Sequence, residues 1–156
     1  MTITLNEQEV RLAKFIAKRR TEVNRANGIK DSKQGGQDSE FIETEGIAGE
    51  IAFCKLFNLY PDLSVDTVTQ STDVGDCVYK GYKVDVKTTS YKSGRLLSVP
   101  WKNDEIEVYA LMIGTIPTYE FKGFAYASEL KSDKHLTDLG RGDVYCMEQN
   151  QLIMDI

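Results

Sequence analysis

The stretch 77-CVYKGYKVDVKTT-89 reads as two short strands of alternating polarity that meet at Lys80-Gly81. With those two residues as the turn, Tyr79 faces Tyr82, Val78 faces Lys83 and Cys77 faces Val84. One step further, Asp76 faces Asp85. Side chains alternate between the faces of a strand, so Asp85, Lys87 and Thr89 share one face while Val84, Val86 and Thr88 share the other. Like charges set opposite one another across a strand pair are destabilising, so this pairing calls for a proton or a cation. Lys-Gly is a poorer two-residue turn than Asn-Gly. A bulge would remove the direct opposition and still leave the two carboxylates near each other.

Upstream of the hairpin the periodicity is helical. "NEQEVRLAKFIAKRRTEVNRANG" opens with Asn6 as N-cap and Glu9 three residues on, and stops at Gly28, predicting a helix over 6–27. Leu12, Phe15, Ile16 and Val23 form its expected apolar stripe, and Arg11, Lys14, Lys18 and Arg25 form a basic face. The polar, glycine-bearing run 28–39 reads as a mobile loop. "SEFIETEGIAGEIAFCKLFNLY" predicts a second helix capped by Asp38 or Ser39 and ended before Pro61, with Ile47, Ile51, Cys54 and Phe57 buried. Gly46 and Gly49 each cost about 1 kcal/mol in a helix interior, which points to another backbone packed close by. After Pro61 come short alternating runs: 63–70, the hairpin, 95–101, 107–114, 119–130 with a short helix near 127–140, and 143–156. Two helices leading into strands predict a single α+β domain over 1–156, a mixed sheet with helices packed on it.

The totals fit one soluble domain: 156 residues, 41% hydrophobic and 28% charged. No apolar run nears the roughly 18 residues of a membrane span, and the polar start "MTITLNEQEV" lacks a secretory signal, so a cytoplasmic location is expected. Cys54, Cys77 and Cys146 lack metal or disulfide spacing and read as small apolar residues. The net charge of −5 argues against a uniformly basic nucleic-acid binder, yet residues 1–34 carry eight basic against four acidic side chains, or +4, leaving −9 for the rest.

Two carboxylates beside a lysine describe a site for a hard cation. Mg²⁺ uses one or two carboxylates and leaves its other positions to water and substrate phosphate. It would polarise a phosphoryl group and acidify a bound water, and Lys87 would orient or deprotonate that water or steady charge in the transition state. Glu50 adds a further ligand if its helix packs beside the hairpin. A solvent-facing Asp-x-Lys on an edge strand is the simpler reading of Asp85 and Lys87 taken alone.

The ordered set "GIAGEIAF", "GD" and "VDVKTT" resembles the PD-(D/E)xK nuclease superfamily over roughly residues 40–90. The resemblance implies a restriction-endonuclease-like fold, a mixed sheet flanked by helices. It implies a Mg²⁺ or Mn²⁺ site with Asp76, Asp85 and Glu50 as catalytic metal ligands, the Val86 carbonyl as an additional ligand, and Lys87 at the nucleophile. Gly75-Asp76 replaces the family's Pro-Asp, leaving Asp73 as an alternative to Asp76, and Glu43 as the alternative to Glu50.

The function expected is metal-dependent hydrolysis of DNA phosphodiester bonds, with a homodimer possible because paired cuts favour symmetry. Arg11, Lys14 and Lys18 on the first helix, and Thr88, Thr89, Lys92 and Arg95 after the motif, are the candidate nucleic-acid contacts. Tyr91 and Trp101 supply aromatic surface there, though Trp101 after Pro100 reads rather as a cap on the core. His135, the only histidine, reads as a surface residue, and no phosphate-loop motif occurs. The other classes are a non-catalytic binding module on the same fold and an assembly protein pairing through its sheet edges. Failure to bind millimolar metal would favour the binding module, and concentration-independent monomer behaviour would count against the assembly protein.

Overall fold

A computed structural model of the chain describes residues 1–28, 38–65, 75–101 and 105–156. The expected loop over 28–39 falls mostly outside the described residues, as do the greater part of the expected strand 63–70, and Asp73. The order of elements is β1 (Thr2–Thr4), α1 (Glu7–Ala26), α2 (Ser39–Leu56), β2 (Cys77–Tyr79), β3 (Tyr82–Thr89), β4 (Leu96–Ser98), β5 (Val108–Thr115), β6 (Thr118–Tyr126), α3 (Ala127–Leu130), β7 (Leu136–Asp138) and β8 (Asp143–Met147).

Both helix starts follow their capping residues. Asn6 accepts from the Glu9 N–H at 2.9 Å and Glu9 reaches back to the Asn6 N–H at 2.7 Å, a reciprocal capping box. Asp38 caps α2 by accepting from the Glu40 N–H. The apolar stripe of α1 differs from its expectation. Ala13, Ile16 and Ala17 are buried, whereas Leu12 and Phe15 are exposed. Small alanines let α1 lie close against α2, and the bulkier residues flanking them are turned outward.

The architecture is α+β. A five-stranded mixed sheet has the order β1-β6-β5-β3-β2, and a three-stranded antiparallel sheet has the order β4-β8-β7. β3 and β5 run parallel, with Asp85 beside Tyr109 and Lys87 beside Leu111. On one face of the larger sheet, Val84, Val86, Val108, Ala110, Met112, Phe121 and Phe124 form a core with α1 and α2. The opposite face gives Tyr109, Leu111, Ile113 and Ala125 to a second core with Leu96, Leu130 and Met147. The long helices therefore cover one face only, and the small sheet with α3 covers the other. β6 carries a bulge: Leu111 pairs with Gly123 and Met112 with Phe121, so Lys122 is the extra residue. That extra residue lets Phe121 and Phe124, three apart, both point to the helical side.

The hairpin has the expected register, Cys77↔Val84, Val78↔Lys83 and Tyr79↔Tyr82. Lys80 and Gly81 both take positive φ, 49° and 88°, as a type I′ turn requires. Two other expectations are corrected. Trp101 is 71% exposed, because the chain after β4 leaves the core and carries the ring with it. His135 is buried, drawn in by the 3₁₀ turn Asp133–His135 that precedes β7. Cys54 and Cys77 are buried and Cys146 is half-buried, all as free thiols. Among the described residues no helix is long and apolar enough to cross a membrane.

Candidate metal and phosphate site

The site is built where β2 ends. Pairing stops at Cys77↔Val84, and the Asp76 N–H also donates to the Val84 carbonyl at 2.8 Å. Asp76 therefore sits in a bulge and is not squarely opposite Asp85. Its carboxylate accepts from the Val86 N–H at 2.7 Å, doing for β3 what a carbonyl of a longer β2 would have done. Gly75 makes this possible. Its φ is +89°, and a Cβ there would lie 2.8 Å from the Val84 carbonyl oxygen.

Asp85 lies on the face of β3 opposite α2, and its side chain is only 6% exposed. The Lys87 ammonium reaches back two residues to its Oδ2 at 2.7 Å. Lys87 also stands 5.9 Å from the centre of the buried Tyr109 ring, which the Lys131 ammonium approaches to 5.5 Å. Buried charge is tolerated here because each carboxylate has a partner at hydrogen-bond distance.

Glu50 enters from α2. The helix is brought close by Gly49: a Cβ there would fall 2.0 Å from the Thr88 Oγ1. The expected close backbone is not what Gly49 meets: the neighbour is the Thr88 side chain on β3, and at Gly46 a Cβ would meet nothing within 4 Å. Glu50 is held well above the usual carboxylate range. Burial is the leading cause, followed by the negative charge of Asp76, with Asp85 and Glu43 adding to it and Arg20 opposing it. Four carboxylates thus share one field. Among the described residues, however, no three acidic, cysteine or histidine side chains converge tightly enough to cage an ion.

Arg20 is a residue of the candidate site that sequence reasoning missed. Its guanidinium stands 3.7 Å from Glu50 and donates to the carbonyls of Ser64 at 2.9 Å and Asp62 at 3.0 Å. The Asp62 N–H in turn donates to the Asp76 carbonyl at 3.0 Å. Arg20 therefore ties α1, α2 and the chain leading to Asp76. The available signal was its position, three and four residues after the buried Ala17 and Ile16, which puts a charge on the buried stripe.

The remaining candidates fall in two places. Thr88, Thr89 and Arg95 line a cleft of about 450 Å³ together with Lys87, Ile42, Tyr91, Ser93, Gly94, Leu97 and Leu111. Lys92 is exposed on the adjoining loop, and Arg95 pairs with Glu148 at 2.8 Å. Arg11, Lys14 and Lys18 are exposed on α1. At 100° per residue they point roughly opposite to Arg20, away from Glu50. Arg11 is paired with Glu7 at 2.9 Å. The structure thus joins Glu50, Asp76, Asp85, Val86 and Lys87 with the 88–95 segment, and it separates the α1 basic face from them.

The donor set suits a hard cation. Carboxylate oxygens are the right ligands, and Mg²⁺ asks for one or two of them with water filling the rest, so a full protein cage is not required. A bound cation would also relieve the repulsion that raises Glu50.

No curated protein and no solved structure matches the chain. Residues 1–116 match a family described only as of unknown function, a span that holds every candidate site residue and ends with β5. The chain therefore belongs to the family of unknown function DUF5843.

Proposed function

We propose that the protein is a metal-dependent nuclease that hydrolyses DNA phosphodiester bonds at a PD-(D/E)xK-type site on a restriction-endonuclease-like fold. The observation that carries this reading is the buried Asp85 with the Lys87 ammonium at 2.7 Å, in one electrostatic field with Asp76 and the raised Glu50. Asp76 and Asp85 would hold Mg²⁺ or Mn²⁺, with Glu50 and the Val86 carbonyl in support. When bound, such an ion polarises the phosphate and makes water a better nucleophile. Lys87, now paired with Asp85, would give up that carboxylate to a cation and offer its ammonium to the attacking water or the phosphate oxygens. Arg20 keeps Glu50 on the site side of α2.

The test is incubation of plasmid, linear duplex and single-stranded DNA with Mg²⁺, Mn²⁺ or EDTA. Cleavage in metal and none in EDTA is expected, with Asp85→Ala and Lys87→Ala each losing about a hundredfold or more when assayed below each variant's own melting temperature, because Lys87→Ala leaves the buried Asp85 without its cation and lowers stability as well. Equal cleavage by both purified variants would refute the assignment.

One observation favours a second reading, a non-catalytic binding module: Lys87 already neutralises Asp85, and no three acidic groups converge among the described residues. Calorimetry separates the two. Absence of heat with millimolar Mg²⁺ and Mn²⁺, with and without DNA, would favour the module.

A further inference from the structure

The cleft beside Lys87 has a composition that the hydrolytic chemistry does not require. Its floor is apolar, from Ile42, Leu97 and Leu111, and its rim carries the Lys87 and Arg95 cations, the Thr89 and Ser93 hydroxyls and the Tyr91 ring. Tyr91 is 67% exposed. At about 450 Å³ the cleft lies within the roughly 300–1,000 Å³ of small-ligand sites. That volume is on the scale of a single small ligand and far below that of a duplex.

The walls are fixed in the shape described. The Gln149 side-chain amide donates to the carbonyls of Lys92 at 2.8 Å and Gly94 at 2.9 Å. The Gly94 N–H closes a turn onto the Tyr91 carbonyl at 2.8 Å. Gly94 lets the loop fold against β3, since a Cβ there would lie 2.2 Å from the Thr89 Cγ2. Arg95 is held by Glu148, and Leu97 is locked into the small sheet opposite Cys146. A loop tied at this many points is a preformed wall.

We infer that this cleft is a subsite for one unpaired nucleotide, its base on the Leu97–Leu111 floor beneath Tyr91 and its phosphate directed to Lys87. The inference rests on the nuclease reading for the identity of Lys87 as the phosphate end. An apolar slot with an aromatic lip receives a base that has left its stack, and every base offers the π-face that such a lip uses. The substrate is then a single strand, or a duplex with an extrahelical nucleotide at the cut.

The test uses the full chain and a labelled 12-nucleotide single strand, the same sequence fully paired, and the duplex with one extrahelical nucleotide. Binding is read by fluorescence anisotropy in EDTA and cleavage is read in Mg²⁺ or Mn²⁺. The single strand and the bulged duplex are expected to bind and to be cut at least about tenfold better than the paired duplex. Tyr91→Ala, an exposed change that leaves packing intact, should weaken binding of the single strand about fivefold or more, the loss of one base–aromatic stack. Leu97→Trp, which fills the floor, should abolish the preference for unpaired substrate. Equal binding and cutting of paired and unpaired DNA, unaffected by Tyr91→Ala, would overturn the subsite while leaving the nuclease reading in place. Tyr91-dependent binding of the single strand without cleavage in any metal would keep the subsite and sink the nuclease reading. Binding of deoxynucleoside monophosphate but of no oligonucleotide would overturn the polynucleotide assignment.

Discussion

At the scale of single residues, Glu50 and Arg20 are the two whose behaviour is most constrained. Glu50 holds its proton to higher pH in the folded chain than in the unfolded one, because burial and Asp76 disfavour its charge. The sign follows from linkage. Below the ordinary carboxylate range both states are protonated and there is no penalty. As pH rises toward the raised value, only the unfolded state releases its proton, so stability falls across that window. Glu50→Gln removes the titration. In EDTA, the stability of the parent minus that of Glu50→Gln should therefore decline as pH rises above the ordinary carboxylate range, measured by urea unfolding. Parallel stability curves would contradict the placement of Glu50. Arg20→Met, at similar volume, leaves the carbonyls of Asp62 and Ser64 without their donor and Glu50 without its nearest cation. A loss of about 1–3 kcal/mol is expected, with Arg20→Lys intermediate because an ammonium cannot span the same three acceptors. Unfolding of the two variants at the parent's midpoint would show that Arg20 ties nothing together.

At the scale of elements, the joint between α2 and β3 decides whether Glu50 reaches the hairpin. Gly49→Ala places a methyl 2.0 Å from the Thr88 Oγ1 and 2.9 Å from its Cβ and Cγ2, so the helix must lift. Overpacking of this kind costs about 1–3 kcal/mol, and it should carry Glu50 away and flatten the pH dependence just described. Thr88→Ala by itself should be nearly neutral, since the buried Oγ1 has no hydrogen-bond partner to lose. Combined with Gly49→Ala it should recover part of the loss, a coupling that a double-mutant cycle measures. Simple additivity of the two changes would mean that the joint lies elsewhere. Much of this layout was legible in the chain. Asn6 and Glu9 announce α1, Gly49 announces a close approach, and Lys80-Gly81 sets the hairpin register, because each acts through local backbone geometry. β1 and β7, three residues each, carry too few side chains to show a period. The outward turn of Leu12 and Phe15 depends on how α1 meets α2, which no single helix encodes. The bulge at Asp76 stood in the sequence only as an alternative to direct opposition, for the same reason: it depends on Gly75 meeting the Val84 carbonyl across the strand pair.

At the scale of the whole molecule, charge has to be set against shape. The chain carries −5 overall, and its exposed cations on α1 point away from the carboxylates of the site. Composition located that basic face correctly as a feature of α1, but only the packing of the helix could say which way it looks. If a strand end enters the cleft beside Lys87, the α1 face can meet only the remainder of a longer molecule. Reversing Lys14 and Lys18 to Glu therefore predicts a split outcome. Affinity for a long DNA should fall, and the slope of log affinity against log salt should shrink by about two, one for each lost phosphate contact. Affinity and cleavage for a short oligonucleotide that spans only the cleft should stay unchanged. Anisotropy titrations at several salt concentrations with DNA of two lengths make the comparison. A loss of equal size for both lengths would place the α1 cations within reach of the cleft, and no loss for either would leave the basic stripe as solvated surface.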